Sequence, residues 1–271
     1  MRTKNVFLQI AISALFLIVA GAGCSSPEKV TSRIGDHPIY PNSEADTITL
    51  EQVLGRSRLA MSDTDSYKTR EVSYFRSSTT GLEEPSTGYS ELDSNGDFSM
   101  GSTYARSSGD SYFDYRKVGT QFFTRSHHHG WEEPHKPNLE IADAQLADRF
   151  LEILNADGIS LRSTTERSED GAWVYRLEYT EESGRFANGG YEIVVNSNTV
   201  LIDQYTNRIV TVFRDSRHDV YFISEGETIT PDTKSRWYES VQTYNYYDYN
   251  QPVVIEVPDE YVPWEELVVS N

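Results

Sequence analysis

Four of the six histidines fall within one short stretch, His127-His128-His129-Gly130-Trp131-Glu132-Glu133-Pro134-His135, together with two carboxylates. Imidazole and carboxylate are the ligand types that zinc and copper take. Three consecutive His on an extended segment point in alternating directions, however, so they do not converge on one ion. The stretch reads as an exposed loop, and no metal site or cofactor is expected. Adjacent carboxylates such as Glu132-Glu133 and Glu181-Glu182 have the type needed for acid–base work, but a chain with 42 acidic residues supplies such pairs by chance. No Gly-x-Ser-x-Gly elbow is present to raise a serine nucleophile. Gly189-Gly190 lacks the spacing and the following helix of a phosphate loop. Asp93-Ser94-Asn95-Gly96-Asp97 has the look of a calcium loop but no terminal Glu in register, and Asn-Gly makes it a hairpin turn instead. No catalytic residue is assigned, and the chain is expected not to be an enzyme.

Cys24 is the single cysteine, so no disulfide can form within one molecule. It follows a short positive segment with Arg2 and Lys4, a mostly apolar run from Val6 to Ala20, and the small residues Ala20-Gly21-Ala22-Gly23. That is the layout of an export signal, too short for a membrane span. Gly21-Ala22-Gly23-Cys24 resembles the lipobox of bacterial lipoproteins at its two small positions and its Cys, with Gly21 where an aliphatic residue is usual. The resemblance implies lipidation of Cys24 and an anchor in the cell membrane, facing periplasm or exterior. Cleavage after Ala22 is the alternative and would release a soluble protein. Residues 1–23 are read as signal peptide, 24–46 as a flexible tether rich in Ser, Pro and charge, and 47–271 as one domain.

Without residues 1–23 the chain has 22 basic and 42 acidic residues, a net charge of −20. Such a surface repels nucleic acid and anionic headgroups, so no nucleic-acid partner is expected. An aromatic content of 12%, with 18 Tyr, is too high for a disordered chain and suits strands.

Apolar residues at Leu50, Val53, Leu54 and Met61 recur at helical spacing behind the caps Thr47 and Thr49. Strands are expected at 67–76, 88–93, 98–104, 111–118 and 121–126. A second helix is marked by Leu139, Ala142, Leu146, Phe150 and Leu154 and ends at Asp157-Gly158. Further strands follow at 173–180, 191–195, 199–203, 208–214, 220–225, 237–247 and 253–257. Trp237, Tyr238, Tyr244, Tyr246, Tyr247 and Tyr249 are read as strand packing. The pattern predicts an α+β fold, one large antiparallel sheet, curved because it is wide, with two helices on one face.

Three stretches together resemble the LolA/LolB and LppX/LprG superfamily of lipoprotein carriers. They are the hairpin Leu201-Ile202-Asp203-Gln204-Tyr205-Thr206-Asn207-Arg208-Ile209-Val210, the closing segment Tyr247-Asp248-Tyr249-Asn250-Gln251-Pro252-Val253-Val254-Ile255-Glu256-Val257-Pro258, and the opening Ser66-Tyr67-Lys68-Thr69-Arg70 after the first helix. The likeness spans residues 47–262. It implies an open half-barrel of about 11 strands with two or more helices on the concave face, which holds acyl chains. On that reading the ligand cavity is lined by Leu50, Val53, Leu54, Met61, Leu146, Phe150 and Leu154, and the ligand is apolar, a lipid or an acylated protein. The alternative is a non-catalytic envelope interaction or sensor scaffold with a filled core, whose acidic, Tyr-rich exterior meets an envelope protein partner.

Overall fold

The first helix, α1 (Leu50–Ser62), begins where the sequence places a cap. Thr49 Oγ1 accepts from Gln52 N (3.3 Å), and Gln52 Oε1 accepts in return from Thr49 N (2.9 Å), so two orphan amides are satisfied at once. The structure, a computed structural model, describes residues 48–79, 84–104, 111–134, 148–187, 190–224 and 226–263. All belong to one compact unit, Pro38–Asn271. Cys24, the signal segment and the tether lie outside the described residues.

Eleven strands follow: β1 (Tyr67–Ser77), β2 (Glu84–Leu92), β3 (Phe98–Tyr104), β4 (Ser111–Val118), β5 (Gln121–Ser126), β6 (His129–Glu132), β7 (Ser160–Arg167), β8 (Trp173–Ala187), β9 (Gly190–Asp203), β10 (Ile209–Tyr221) and β11 (Ser235–Tyr247), with a second helix, α2 (Asp148–Asn155), between β6 and β7. They form one open sheet in the order β6-β5-β4-β3-β2-β1-β11-β10-β9-β8-β7, with each neighbouring pair antiparallel. Two meanders thus grow from opposite sides and meet at the β1–β11 seam, and α2 lies on the link between the two edges.

One apolar cluster holds this sheet to its helices. It takes Val53, Leu54 and Met61 from α1, and Phe150, Ile153 and Leu154 from α2. The sheet adds residues from Phe98 and Tyr115 on β3 and β4 to Leu177 and Val200 on β8 and β9. β4 and β8 stand seven places apart, about 34 Å across a flat sheet. Two helices side by side cover only about 20 Å. A single core spanning that interval requires the sheet to curve around them.

The turns explain the motifs. In the β9–β10 hairpin, Asp203 Oδ1 accepts from Tyr205 N (3.0 Å), Thr206 N (2.6 Å) and Thr206 Oγ1 (2.9 Å), while Asn207 takes a left-handed φ of 56°. In the β2–β3 turn, Asp93 Oδ1 accepts from Asn95 N and Asp97 N, and Gly96 has φ 80°. The closing segment ties the end of β11 to the start of β1. Tyr249 OH donates to Ile209 O (2.5 Å), Asn250 Nδ2 donates to Asp63 O, and Asp65 N donates to Asn250 Oδ1.

Several expected boundaries are corrected. Residues 191–195 and 199–203 belong to one strand, β9, because the apparent break at Asn196-Ser197-Asn198 is paired throughout and Asn198 is buried, accepting from Arg214 Nε at 3.0 Å. Likewise 208–214 and the first residues of 220–225 merge into β10, which ends at Tyr221 and whose polar middle bonds across the sheet from Arg217 to Glu239. β7, with its alternating polar residues, carries too little apolar signal to be read. Residues 253–257 form no strand; they run on toward β6, where Val262 N donates to Trp131 O and Glu133 N donates to Val262 O. The His stretch is only partly a loop, since His129–Glu132 is β6. Leu139, Ala142 and Leu146 lie outside the described residues.

Candidate functional site

Alternation places every second residue of a strand on the face that meets α1 and α2. Near the helices that face is the core just described. Toward the other end of the strands it changes character. β1 presents Glu71 and Ser73, paired with Gly88 and Ser86 of β2 on one side and with Tyr244 and Gln242 of β11 on the other. β3 adds Ser102 and Tyr104. Thr69 and Ser90 (2.6 Å) and Ser73 and Ser86 (2.5 Å) form hydroxyl pairs across the β1–β2 ladder. A sheet face that is apolar at one end is therefore hydroxyl- and amide-lined at the other.

Two adjacent hollows occupy this boundary. One, about 140 Å³, reaches Phe150 of α2 and is walled by Met100, Tyr246, Thr69 and Ser90. The other, about 350 Å³, lies farther along the strands against Ser73, Phe75, Ser86, Ser240 and Gln242. Glu71, Ser102 and Tyr104 line both. Gly88 makes room for the Glu71 carboxylate: a Cβ there would stand 3.2 Å from Glu71 Oε2. The resulting groove has an aromatic and thioether end beside α2 and a polar end beyond it.

Val53, Leu54, Met61 and Leu154 are buried in the core, and Leu50 packs half-buried against it. Phe150 lies among them and also lines the smaller hollow. Leu146 is outside the described residues. The helices hold each other through Arg58, whose Nη2 donates to Leu154 O at 2.7 Å. Sequence reading missed the polar half of the groove. The signal for it was there in Thr69-x-Glu71-x-Ser73 and Ser86-x-Gly88-x-Ser90, strands whose alternating residues continue an apolar face with hydroxyls.

The farthest part of the same face carries a buried carboxylate. Glu192 accepts from His218 Nδ1 (2.9 Å), from Tyr238 OH and from Arg185 Nε (3.2 Å). The His218 hydrogen bond, then that of Tyr238, holds its carboxyl down at about 2. Burial, then the hydrogen bond to Glu192, pushes the Tyr238 phenol up to about 12. Because the folded pKa lies below the ordinary 4.5, the stabilisation is fully present above pH 4.5 and is lost as pH falls through about 2. Its size is about 3 kcal/mol. Glu192→Gln is expected to flatten the stability–pH curve in that window; denaturant midpoints measured across the window check this.

On the opposite face, Asp114 is buried and bound by Arg125 Nε (2.8 Å) and Nη2 (2.6 Å), with Tyr89 OH donating at 3.1 Å. Trp131 lies under both Arg116 and Arg125, at 4.6 and 4.9 Å. These contacts fix the β4–β6 edge. His129 Nδ1 meets Glu132 at 3.3 Å, His127 and His128 are exposed, and no group of three or more metal-ligating side chains comes together among the described residues. Glu181 and Glu182 point to opposite faces of β8, so they cannot act as a pair.

No protein-family model and no curated protein sequence matches the chain. Similar solved structures include a LolA superfamily protein from Nitrosomonas europaea, with 8% identity and a TM-score of 0.26 over 77% of this chain and 96% of that one. A domain described as an outer membrane lipoprotein-sorting protein, from Vibrio parahaemolyticus, has 9% identity and a TM-score of 0.28 over 82% of this chain and 100% of its own. A DUF1329 family protein from Desulfovibrio piger has 9% identity and a TM-score of 0.25 over 76% and 95%. At scores of this size the likenesses carry no argument about activity, and the architecture rests on the strand order itself.

Proposed function

We propose that this chain is a non-catalytic lipoprotein of the bacterial envelope, anchored through Cys24, that binds an amphiphile on the helix-side face of its sheet. The observation that carries the reading is the two-ended groove. Its Phe150, Met100 and Tyr246 end suits an acyl segment, and its Ser73, Ser86, Ser102 and Gln242 end suits a polar headgroup. Together the hollows take a headgroup and part of a chain. A full acyl chain, free or on a protein, needs α1 and α2 to lift as a pair, which turns Leu50, Val53, Leu54, Met61 and Leu154 toward the ligand.

The test is native mass spectrometry on protein lacking residues 1–24, purified gently, with a fluorescent fatty-acid probe as a second readout. A stoichiometric lipid and saturable probe uptake are expected. Ser102→Trp, which fills the waist shared by both hollows, is expected to lower probe affinity by about tenfold or more while the fold is kept. A clean apo mass with no probe uptake contradicts the reading.

The second reading, a scaffold that meets an envelope protein partner, draws on one observation: Val53 and Leu154 are wholly inaccessible, so the space beneath the helices is filled. It expects the clean apo mass.

A further inference from the structure

The hairpins β8–β9 and β10–β11 run past the rest of the sheet. The last β1–β11 pair is Ser77 with Tyr238, whereas β10–β11 continues to Tyr221 with Ser235 and β8–β9 to Ala187 with Gly190. This projection ends in aromatic residues. Phe186, Tyr191 and Tyr221 are successive partners in one cross-strand row, and Phe222 follows next in the chain. Phe186 and Phe222 are 47% and 43% exposed, and the Phe186 and Tyr191 rings lie 5.0 Å apart. Alternation sets Phe186 and Phe222 on opposite faces of the same projecting strand ends, so the tip carries a partly exposed phenyl ring on each side, at a cost in solvation.

Cationic side chains flank them. Arg236 lies 4.7 Å over the Phe222 ring, the Arg185 side chain is 73% exposed, and Lys234 is exposed at the start of β11. Just behind, Trp237 is sandwiched between Arg76 and Arg217 at 5.6 and 5.7 Å. In a chain of net charge −18, Lys234 and Arg236 put two cations beside these rings, while Arg185 is held by Glu192 and Arg217 by Asp219 and Glu239. Aromatic rings settle at the boundary between headgroups and acyl chains, and Arg and Lys snorkel from there to the phosphates.

We propose that the β8–β11 tip is a lipid-surface docking site, which inserts Phe186 and Phe222 at the headgroup–acyl boundary and sets Lys234 and Arg236 against the phosphates. Insertion, not net charge, drives the contact, because Glu227 and Asp232 share the β10–β11 loop and the whole chain is acidic. The site orients the sheet against a membrane independently of any anchor, and it does not depend on what the groove holds.

The experiment is flotation of the chain from residue 24 onward, with Cys24→Ser, on phosphatidylcholine vesicles. The removed residues precede the unit Pro38–Asn271 in the chain. Wild type is expected to float, with little change on adding salt. Phe186→Ser/Phe222→Ser is expected to lower the partition coefficient about tenfold or more, while Tyr205→Ser, the most exposed aromatic at the opposite strand ends, leaves it unchanged. Should the double variant fold poorly by circular dichroism, Lys234→Glu/Arg236→Glu is expected to weaken flotation in its place. Wild type that stays with the soluble fraction, or tip variants that float as well as wild type, overturn the proposal. Fatty-acid probe uptake, measured in parallel, is expected to be the same in wild type and tip variants, which separates this outcome from that of the groove.

Discussion

Alanine at Gly101 is expected to destabilise the protein by about 3–4 kcal/mol. A Cβ at that position falls 2.1 Å from Asp114 Oδ1 and 2.6 Å from Tyr89 Cε1. Neither neighbour yields cheaply. Asp114 is buried and clamped by two guanidinium hydrogen bonds from Arg125, and Tyr89 donates to the same carboxylate. Moving the carboxylate strands a charge in a site that is 6% exposed. The gain from a less flexible unfolded chain, under about 1 kcal/mol, offsets only a fraction. Gly88→Ala is the comparison. Its Cβ meets the Glu71 side chain and Gly101 O at 3.2 Å, contacts that a small shift relieves. Denaturant midpoints check both, and equal losses contradict the account. Since Gly101 precedes Ser102 on β3, Gly101→Ala is also expected to weaken probe binding in the groove.

Phe150→Ala is expected to cost about 3–4 kcal/mol. Phe150 is 2% exposed and stands edge-on to Tyr67 and Tyr246, with centroids at 5.0 and 5.1 Å. Eight described residues make α2, far too few for a helix to persist without tertiary packing. Its place on the sheet rests on Phe150, Ile153 and Leu154, so removing the largest of the three loosens the helix as well as opening a cavity. Hydrogen exchange of the α2 amides is expected to rise along with the loss of stability. A cost under about 1 kcal/mol with α2 protection unchanged contradicts this.

The helices and the first five strands were legible in the sequence because their signals are local, whereas β6 lay inside the stretch read as an exposed loop. α1 carries both a cap and an apolar period, and Asn95-Gly96 and Asp203 to Asn207 are turns whose side chains make the bonds that define them. β9 and β10 were broken in two by runs such as Asn196-Ser197-Asn198, which look like turns along the chain. Their satisfaction comes from the neighbouring strand, Arg214 for Asn198, and that is invisible to a local reading. Val253 to Val257 fails as a strand for the converse reason: its apolar residues suit a strand, but β11 already pairs with β1 and β10, leaving the segment no free partner beside it. At the site, burial singled out the apolar helix residues. The hydroxyl end of the groove was passed over because Ser and Thr on strands are ordinary until their shared face is known.

The claim that the helix-side face binds an amphiphile is tested most directly by a photoactivatable fatty-acid analogue carrying a diazirine on its acyl chain. After irradiation with the chain lacking residues 1–24, the cross-linked peptides are mapped by mass spectrometry. Labels are predicted on the segments that line the groove, 69–75, 86–90, 100–104 and 240–246, and on α2 at Phe150. Labelling confined to the opposite face, or no labelling that unmodified fatty acid competes away, contradicts it.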